Sequence, residues 1–234
     1  MEMDIVLYLP DGNRRFAKKA EISLEEAYYL GGKTLRLFSE FFVAEGRSKK
    51  FIYHAMSDYT HQRTDLSLKS IYSALEKIFE ELSEEKFFEK NNIAFRAIDH
   101  SGKLPQKVKK RVETLSHLTK NDGEKEVVVL LGYSLEEDIN QALSKNPINY
   151  ASFREDLIFP GDIDLIIRPK EMRLSKGPVY AMAQAQMITL DKLNPEVKRE
   201  DLKEIVGEYC RLRSYRINQS HNPHHKLKNL RGDK

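Results

Sequence analysis

Five short apolar runs divide the chain, and each has the length of a single β-strand. They lie at residues 5–9, 51–56, 93–98, 127–131 and 163–167. Most of these runs are continuous rather than alternating with polar residues, which is typical of strands that are covered on both faces. The pattern therefore predicts a sheet buried between two outer layers.

Helical patterns separate the predicted strands. Ser23 and Ser134 each precede a glutamate by three residues, and this Ser-x-x-Glu spacing is the capping box that opens a helix. A further helical face is predicted where apolar side chains recur every three or four residues, at Leu68, Ile71, Leu75, Ile78, Phe79 and Leu82. This alternation predicts an α/β fold with a mostly parallel sheet and crossover helices.

The excess positive charge of the chain is concentrated in its C-terminal segment. Residues 211–234 contain seven lysines and arginines against one acid, although the formal charge of the whole chain is only +3. We expect residues 1–217 to form one domain, because no repeat or low-complexity linker divides them. Residues 218–234 are expected to be a basic, flexible tail that is either solvated or attracted to an anionic membrane surface.

Composition excludes several classes of protein. With 40% apolar and 32% charged residues, the chain is neither disordered, collagen-like nor membrane-embedded. The single cysteine, Cys210, excludes an internal disulfide and a thiolate zinc cluster and fits a reducing compartment. No apolar run approaches the ~18 residues that span a bilayer, and the N-terminus lacks a signal-peptide pattern. A cytoplasmic protein is expected, with no nucleic-acid partner.

Candidate chemistry begins directly after the first predicted strand, at residues 11–15. Asp11 and Gly12 are followed by an amide, Asn13, and two arginines, Arg14 and Arg15. Glycine lets a backbone approach a ligand closely, arginines bind phosphate oxygens, and a carboxylate can hold a hard cation. The alternative is an Asp-Gly turn with solvated arginines. The segment matches neither the P-loop nor the dinucleotide-binding pattern.

The same segment carries a family resemblance. Residues 10–17, Pro-Asp-Gly-Asn-Arg-Arg-Phe-Ala, resemble the Met-Asp-Gly-Asn-x-Arg-Trp-Ala signature of the cis-prenyltransferases, the undecaprenyl diphosphate synthase family. Further matches follow in the family's order at residues 31–33, 55–57 with Arg63, 98–99 with 104–105, 132–139, 164–168 with 173–175, and 211–215. The resemblance extends over about residues 4–216.

The resemblance implies a fold and an activity. Members of this family join isopentenyl diphosphate to an allylic diphosphate with a new Z double bond, use Mg²⁺, and are usually homodimers. Their fold is a parallel sheet of about six strands surrounded by helices. Asp11 resembles the family's magnesium-site aspartate. Substrate-binding roles are implied for Gly12, Asn13, Arg14, Arg15 and Phe16 at the allylic diphosphate, for Arg168, Arg173 and Ser175 at isopentenyl diphosphate, and for Ser57 and Arg63 beside the reacting carbons.

Other interpretations stand beside these roles. The helical face from Leu68 to Leu82, with Phe95, is expected to line an apolar tunnel, but the same pattern is typical of an ordinary core. Arg168 and Arg173 flank Lys170 and Glu171, which also fits a surface cluster of ion pairs. Asp99 and Asp138 could be helix caps or turn residues. Arg211 and Arg213, with the basic tail, could close over the site as a diphosphate clamp, be attracted to an anionic membrane surface, or simply be solvated.

Several positions depart from the family pattern. Tyr28 stands where the family has a histidine, Thr60 where it has an asparagine often assigned to proton transfer, and His61 where it has a tryptophan. The glycines after Arg168 are missing. Gln186 replaces a metal-site glutamate of the following helix, and an amide is a weaker magnesium ligand than a carboxylate.

These departures leave three functional hypotheses. In the first, the chain ionises an allylic prenyl diphosphate and transfers the prenyl group to isopentenyl diphosphate or a non-standard acceptor. In the second, it is a non-catalytic partner subunit of a cis-prenyltransferase complex. General phosphate or nucleotide binding is the third. The retained arginines favour catalysis, because a scaffold does not need a set of side chains suited to diphosphate.

Overall fold

The computed structural model describes residues 3–119 and 124–220, except for the side chains of 216–220. Six strands form one sheet. They are β1 (Met3–Tyr8), β2 (Ser48–Ser57), β3 (Ala94–Asp99), β4 (Glu126–Tyr133), β5 (Leu165–Pro169) and β6 (Gln186–Leu190). Five of them overlap the five predicted apolar runs, with ends that differ by one to three residues.

The sheet has the strand order β3-β4-β2-β1-β5-β6. Every pairing in it is parallel. Val6 in the middle of the sheet pairs with Phe51 on one side and with Leu165 on the other, and all three side chains are buried. The predicted α/β fold with a parallel sheet is confirmed. The carboxyl ends of the strands all point to one edge, where ligands bind in folds of this kind.

Helices cover both faces of the sheet. They are α1 (Asn13–Ala20), α2 (Leu24–Phe38), α3 (Leu66–Glu84), α4 (Phe87–Lys90), α5 (Gln106–Leu118), α6 (Leu135–Ser144), α7 (Tyr150–Asp156), α8 (Val179–Met182) and α9 (Arg199–Ser220). A π-helical turn, Ser39–Ala44, extends α2, and two 3₁₀ turns lie at Asp58–Gln62 and Asn194–Glu196.

Both predicted capping serines open helices. The hydroxyl of Ser23 accepts a hydrogen bond from the backbone N–H of Glu26 at 3.1 Å, and Ser134 does the same for Glu137 at 3.3 Å. Each side chain satisfies a backbone donor that the first turn of a helix leaves free. The predicted starts of α2 and α6 are therefore confirmed.

The larger hydrophobic core lies on the face of the sheet covered by α2 and α3. Tyr8 stacks on Phe38 with ring centroids 4.0 Å apart, and Phe38 in turn packs against Phe42 and Phe51. The predicted helical stripe of α3 points into this core, with Ile71, Ile78, Phe79 and Leu82 all buried. The opposite face holds a second, smaller core.

The sixth strand was not predicted from the apolar pattern. Residues of β6 are all half-buried, because the strand lies at the sheet edge and pairs with β5 alone among the described strands. The structure also corrects the position of Gln186, which is the first residue of β6 rather than part of a helix. Its backbone N–H donates to the Asp164 carbonyl at 2.9 Å.

The chain end differs from the expected boundary in one respect. Helix α9 continues through Ser220, so the first three residues of the predicted tail, 218–220, are helical. The rest of the predicted basic tail, with the histidines His221, His224 and His225, lies outside the described residues. No helix in the described part of the chain is both long and apolar enough to cross a membrane.

Candidate functional site

The loop between β1 and α1 forms one side of the site. Gly12 precedes α1 with a φ of 100°, a left-handed conformation that favours glycine. Steric contact also restricts this position to glycine, since a Cβ at Gly12 would lie 2.7 Å from Cδ2 of Leu193. The loop that follows β6 therefore packs directly under the loop that follows β1, and both reach the carboxyl edge of the sheet.

The carboxylate of Asp11 lies between two arginines. It accepts from Nη2 of Arg168 at 3.0 Å and from Nη2 of Arg15 at 3.1 Å. The Asp11 side chain is 23% exposed, whereas that of Arg168 is only 4% exposed. A buried guanidinium needs such a partner because its desolvation is costly. The interpretation of Arg168 as a surface ion-pair residue is therefore wrong.

Arg168 joins the loops after β1 and β5. Its Nη1 donates to the hydroxyl of Ser175 at 2.5 Å, and Nη2 also lies 3.5 Å from Glu171. Its Nε is buried without a hydrogen-bond partner in the described structure. Lys170 and Ser175 both adopt positive φ, 61° and 54°, so the loop after β5 turns sharply back toward the sheet.

Glu171 is the second carboxylate of the cluster. It lies 3.0 Å from Arg173 and 3.7 Å from Arg15, in addition to its contact with Arg168. Three arginines thus surround the two carboxylates of Asp11 and Glu171, which leaves a net positive charge. Such a cluster can bind an anion with several oxygens, because guanidinium groups match phosphate geometry.

The loop after β2 faces this cluster across the site. Ser57 lies 3.5 Å from the hydroxyl of Thr60, and Arg63 donates to the hydroxyl of Tyr28 at 3.5 Å. Two of the positions that depart from the family pattern, Tyr28 and Thr60, therefore lie beside predicted site residues. Lys176 closes the rim, with Nζ 3.2 Å from the centroid of the Tyr59 ring.

A cavity of about 1170 Å³ opens between these loops. Its polar mouth contains the arginine cluster and its walls are apolar. The wall residues are Leu9, Leu35, Tyr53, Ala55, Ile71, Ala74, Leu75, Ile78 and Val129. Of the α3 face predicted to line a tunnel, Ile71, Leu75 and Ile78 line this cavity, whereas Phe79 and Leu82 are buried in the core. Phe95 is not part of the lining either. Phe95 is buried in the core, where it packs 5.7 Å from Phe79.

His54 lies at the base of the cavity and is buried. Burial lowers its pKa to about 4, and the positive charge of Arg168 acts in the same direction. Its Nε2 has no hydrogen-bond partner among the described residues. His54 is therefore a neutral imidazole at ordinary pH, and its presence adds no positive charge to the site.

Ten of the eleven predicted site residues line this one cavity: Asp11, Gly12, Asn13, Arg14, Arg15, Ser57, Arg63, Arg168, Arg173 and Ser175. Phe16 is the exception, because it is not among the residues that line the cavity. Arg211 and Arg213 also lie elsewhere, on α9, where they contact Glu208 and Tyr209. Asp99 accepts from the backbone N–H of Ser101, as a turn residue does.

Asp138 has a structural role that the sequence did not indicate. It is buried and accepts from the hydroxyl of Tyr133 at 2.6 Å and from the backbone N–H of Ile158 at 3.0 Å. Both expectations for it, a helix cap or a turn, are wrong. Asn194 was also missed, although it is fully buried and contacts the loop of Asp11. No sequence signal marks it, because its partners lie far away along the chain.

The arrangement suits a particular class of ligand. The arginine cluster is complementary to phosphate groups, and the adjoining apolar cavity is complementary to a hydrocarbon chain. The fold and the site together therefore define an α/β protein that binds amphipathic diphosphates. In the described part of the chain, no group of three or more histidine, cysteine or acidic side chains is placed to hold a metal by itself.

The comparison with protein families agrees with this class. Residues 9–217 match the prenyltransferase family model described as undecaprenyl diphosphate synthase. The chain belongs to this family, and it is a transferase of prenyl groups.

Named relatives cover nearly the whole chain. A tritrans,polycis-undecaprenyl-diphosphate synthase (geranylgeranyl-diphosphate specific) of Pyrobaculum aerophilum is 30% identical over 219 residues, or 88% of this chain and 92% of that protein. An isoprenyl transferase of Campylobacter jejuni is 26% identical and covers 89% of this chain and 95% of its own. Because these relatives are enzymes, the comparison favours catalysis over the non-catalytic alternative.

Solved structures share the fold. Lavandulyl diphosphate synthase from Lavandula x intermedia, in complex with dimethylallyl diphosphate, superposes with a TM-score of 0.80 at 21% identity and covers 88% of this chain and 94% of its own. A probable undecaprenyl diphosphate synthase from Campylobacter jejuni gives a TM-score of 0.73 at 24% identity, over 89% and 95% of the two chains. The six-stranded fold implied by the family resemblance is confirmed.

Proposed function

We propose that this protein condenses an allylic prenyl diphosphate with isopentenyl diphosphate in the cavity between the loops after β1, β2 and β5. Gly12, Asn13, Arg14 and Arg15 hold the allylic diphosphate, and the prenyl chain extends into the apolar cavity. Arg168, Arg173 and Ser175 hold isopentenyl diphosphate. Ser57 and Arg63 lie beside the reacting carbons.

One observation supports this assignment above all. Asp11 connects Arg15, in the first turn of α1, with Arg168, in β5, through hydrogen bonds of 3.1 and 3.0 Å. The groups proposed to bind the two diphosphates therefore meet at one carboxylate. This carboxylate lies at the mouth of the apolar cavity.

The residues present fit a magnesium ion. Mg²⁺ in phosphate-transfer sites usually takes one or two protein carboxylates and completes its shell with substrate phosphates and water. Asp11 supplies one carboxylate at the mouth, and Glu171 lies close enough to share the same two arginines. When bound, the ion would neutralise charge on the departing diphosphate. Gln186, in β6, does not line the cavity.

The protein's own groups account for the rest of the chemistry. As the allylic C–O bond breaks, the arginines stabilise the negative charge that develops on the leaving diphosphate. The apolar walls exclude water, which would otherwise capture the allylic cation as an alcohol. A new carbon–carbon bond then forms and isopentenyl diphosphate loses a proton. We assign that proton to a diphosphate oxygen, because His54 is buried and Tyr28 and Thr60 replace the family's histidine and asparagine.

The donor is proposed from the relatives' names. The Pyrobaculum aerophilum and Sulfolobus acidocaldarius relatives are both named as geranylgeranyl-diphosphate specific. We propose geranylgeranyl diphosphate as the first donor to test and a polyprenyl diphosphate as the product. A homodimer, contact with a membrane surface and a separate tail from residue 218 stay predictions of the sequence.

A product assay tests the proposal. Purified protein, Mg²⁺ and radiolabelled isopentenyl diphosphate are incubated with allylic diphosphates of graded length, and the products are analysed by mass. Asp11→Asn should lower turnover by at least about 100-fold, the scale for losing a key electrostatic group. Asp65→Asn is the matched control, because Asp65 also pairs with an arginine of α1, Arg14 at 3.9 Å, but lies outside the cavity lining.

The outcomes separate the hypotheses. The control should retain at least half of the wild-type rate, and both variants should keep the wild-type circular dichroism spectrum. Transfer to another acceptor but not to isopentenyl diphosphate would contradict the proposed acceptor. If Asp11→Asn is as active as the control, Asp11 has no catalytic role.

A further inference from the structure

Asn194 is a buried amide at the centre of the loop contacts beneath the site. It is 0% exposed and lies in the 3₁₀ turn that follows β6. Its backbone N–H donates to the carbonyl of Asp11 at 2.8 Å. Its side chain contacts residues from β1, α1 and α2, so one residue joins three elements around the loop proposed to hold the allylic diphosphate.

A backbone carbonyl fixes which way this amide points. Nδ2 of Asn194 lies 3.0 Å from the carbonyl oxygen of Gly31, which can accept but cannot donate. The atom on the other side must therefore be Oδ1. That oxygen accepts from the hydroxyl of Tyr8 at 2.7 Å and lies 3.1 Å from the hydroxyl of Thr34.

The orientation of Asn194 in turn fixes that of Asn13. The second hydrogen on Nδ2 of Asn194 is directed to the side chain of Asn13, 2.9 Å away. Asn13 must present Oδ1 to this donor, and its own Nδ2 is consequently turned away from Asn194. Asn13 is also one of the residues that line the cavity.

Close packing holds Gly31, Asn194 and Asn13 in this arrangement. A Cβ on Gly31 would overlap Oδ1 of Asn13 and lie 2.5 Å from Nδ2 of Asn194. Only a residue without a side chain lets both amides approach this position. The glycine of α2 is therefore part of the same arrangement, in which each amide has one possible orientation.

We propose that Asn194 is a positioning residue for catalysis, which holds Asn13 with its Nδ2 donors directed at the allylic diphosphate. The inference rests on the proposed role of Asn13 in binding that diphosphate. Without Asn194, the Asn13 amide can rotate, and its carbonyl oxygen would then face the negatively charged oxygens of the substrate.

Asn194→Asp tests the orientation with almost no change of shape. A carboxylate has no hydrogen to donate, and a carboxylic acid has one, so neither form can donate to both Gly31 and Asn13. Asn13 is then expected to turn its Nδ2 toward residue 194. The kcat/KM for the allylic diphosphate should fall about 10- to 100-fold, the range for one hydrogen bond to a charged group. The KM for isopentenyl diphosphate should stay within about twofold.

Two further variants distinguish a loss of catalytic positioning from a loss of protein stability. Tyr8→Phe removes a partner of Asn194 on the Oδ1 side, so it should lower the melting temperature but leave kcat/KM within about twofold. Asn194→Ala buries no charge, and it should lower kcat/KM in the same direction as Asn194→Asp. It also serves as the test variant if Asn194→Asp does not fold. Equal losses of kcat/KM in Tyr8→Phe and the Asn194 variants would overturn the proposal.

A double-mutant cycle with Asn13→Ala gives the decisive readout. If Asn194 acts through Asn13, adding Asn194→Asp to Asn13→Ala should lower kcat/KM no further. Additive losses would overturn the inference and leave the site assignment intact. If Asn13→Ala itself has no effect on the allylic diphosphate, the proposed role of Asn13 is wrong, and the inference fails with it.

Discussion

Asp11 and Arg168 are 157 positions apart in the sequence, yet the Asp11 carboxylate accepts from Nη2 of Arg168 at 3.0 Å. The pairing of β1 with β5 produces this contact, because Leu7 and Ile166 are register partners and both strands end at the same edge. Arg168 is buried while Asp11 is partly exposed. A ligand can therefore reach the carboxylate, whereas the arginine is held by the fold.

Arg168→Lys should impair binding of isopentenyl diphosphate. Arg168 contacts Asp11 and Ser175 through different nitrogens, and a single ammonium group cannot reproduce this forked geometry. We expect kcat/KM for isopentenyl diphosphate to fall about 10- to 100-fold, which corresponds to about 1.4–2.7 kcal/mol. Arg173→Lys is the comparison, because Arg173 is exposed and pairs with Glu171 through a single nitrogen. A lysine there keeps the positive charge, so kcat/KM should fall less than about fivefold. Equal losses in the two variants would show that the buried, forked geometry of Arg168 has no special role.

The buried imidazole of His54 should make stability depend on pH. Its native pKa is about 4, below the 6.5 of a free histidine. As pH falls below 6.5, the unfolded chain therefore binds a proton before the native protein does, and the free energy of unfolding decreases. Between pH 7.5 and 5 the loss from this group is about 2 kcal/mol.

Urea unfolding at the two pH values measures this loss. His54→Phe keeps a ring beside Tyr133 but does not titrate, so the variant should lose about 2 kcal/mol less than the wild type over the same interval. If both proteins lose the same free energy, His54 is not the group responsible.

Two glycines should respond in opposite directions to alanine. Gly207 is exposed within α9, and a Cβ there would meet nothing within 4 Å. Gly207→Ala should therefore stabilise the protein by about 0.5–1 kcal/mol through the helix propensity of alanine. Gly31→Ala should instead destabilise it, because the new Cβ overlaps Asn13 and Asn194. Thermal melting of both variants tests this, and a stable Gly31→Ala protein would show that the loop can relax.

Filling the cavity should shorten the product. Ala74 is a small residue of α3 that lines the apolar wall. Ala74→Phe should reduce the space for the growing chain, so the mean product length should fall while the first condensation continues. Lys69→Phe adds the same side chain on the exposed side of α3 and should leave the product distribution unchanged. Unchanged products with Ala74→Phe would show that this wall does not limit chain length.

Local sequence was sufficient for most elements of the fold. Continuous apolar runs predicted five strands, because strands of a parallel sheet are buried on both faces. Ser23 and Ser134 predicted two helix starts, because capping depends on residues three positions apart. The strand at residues 186–190 was missed since its half-buried edge position leaves no continuous apolar run.

The part of the site whose residues are close together in the sequence was predictable. Asp11, Asn13 and Arg15 form a recognisable segment, and the family resemblance added Arg168 and Ser175. Phe16 was predicted to join them, but it is not among the residues that line the cavity. The burial of Arg168 could not be predicted, since an arginine beside lysine and glutamate is usually exposed.

The sequence by itself thus determined the strands, the helix starts and the residue types of a diphosphate site. Only the tertiary structure decided which of those residues meet. Two examples are the contact of Glu171 with the arginine cluster and the hydrogen bonds that link Gly31, Asn194 and Asn13. Both depend on segments that are far apart in the sequence. Hydrogen bonds depend on distance in space. In the sheet, β1 lies between β2, its neighbour in the sequence, and β5, which comes much later in the chain.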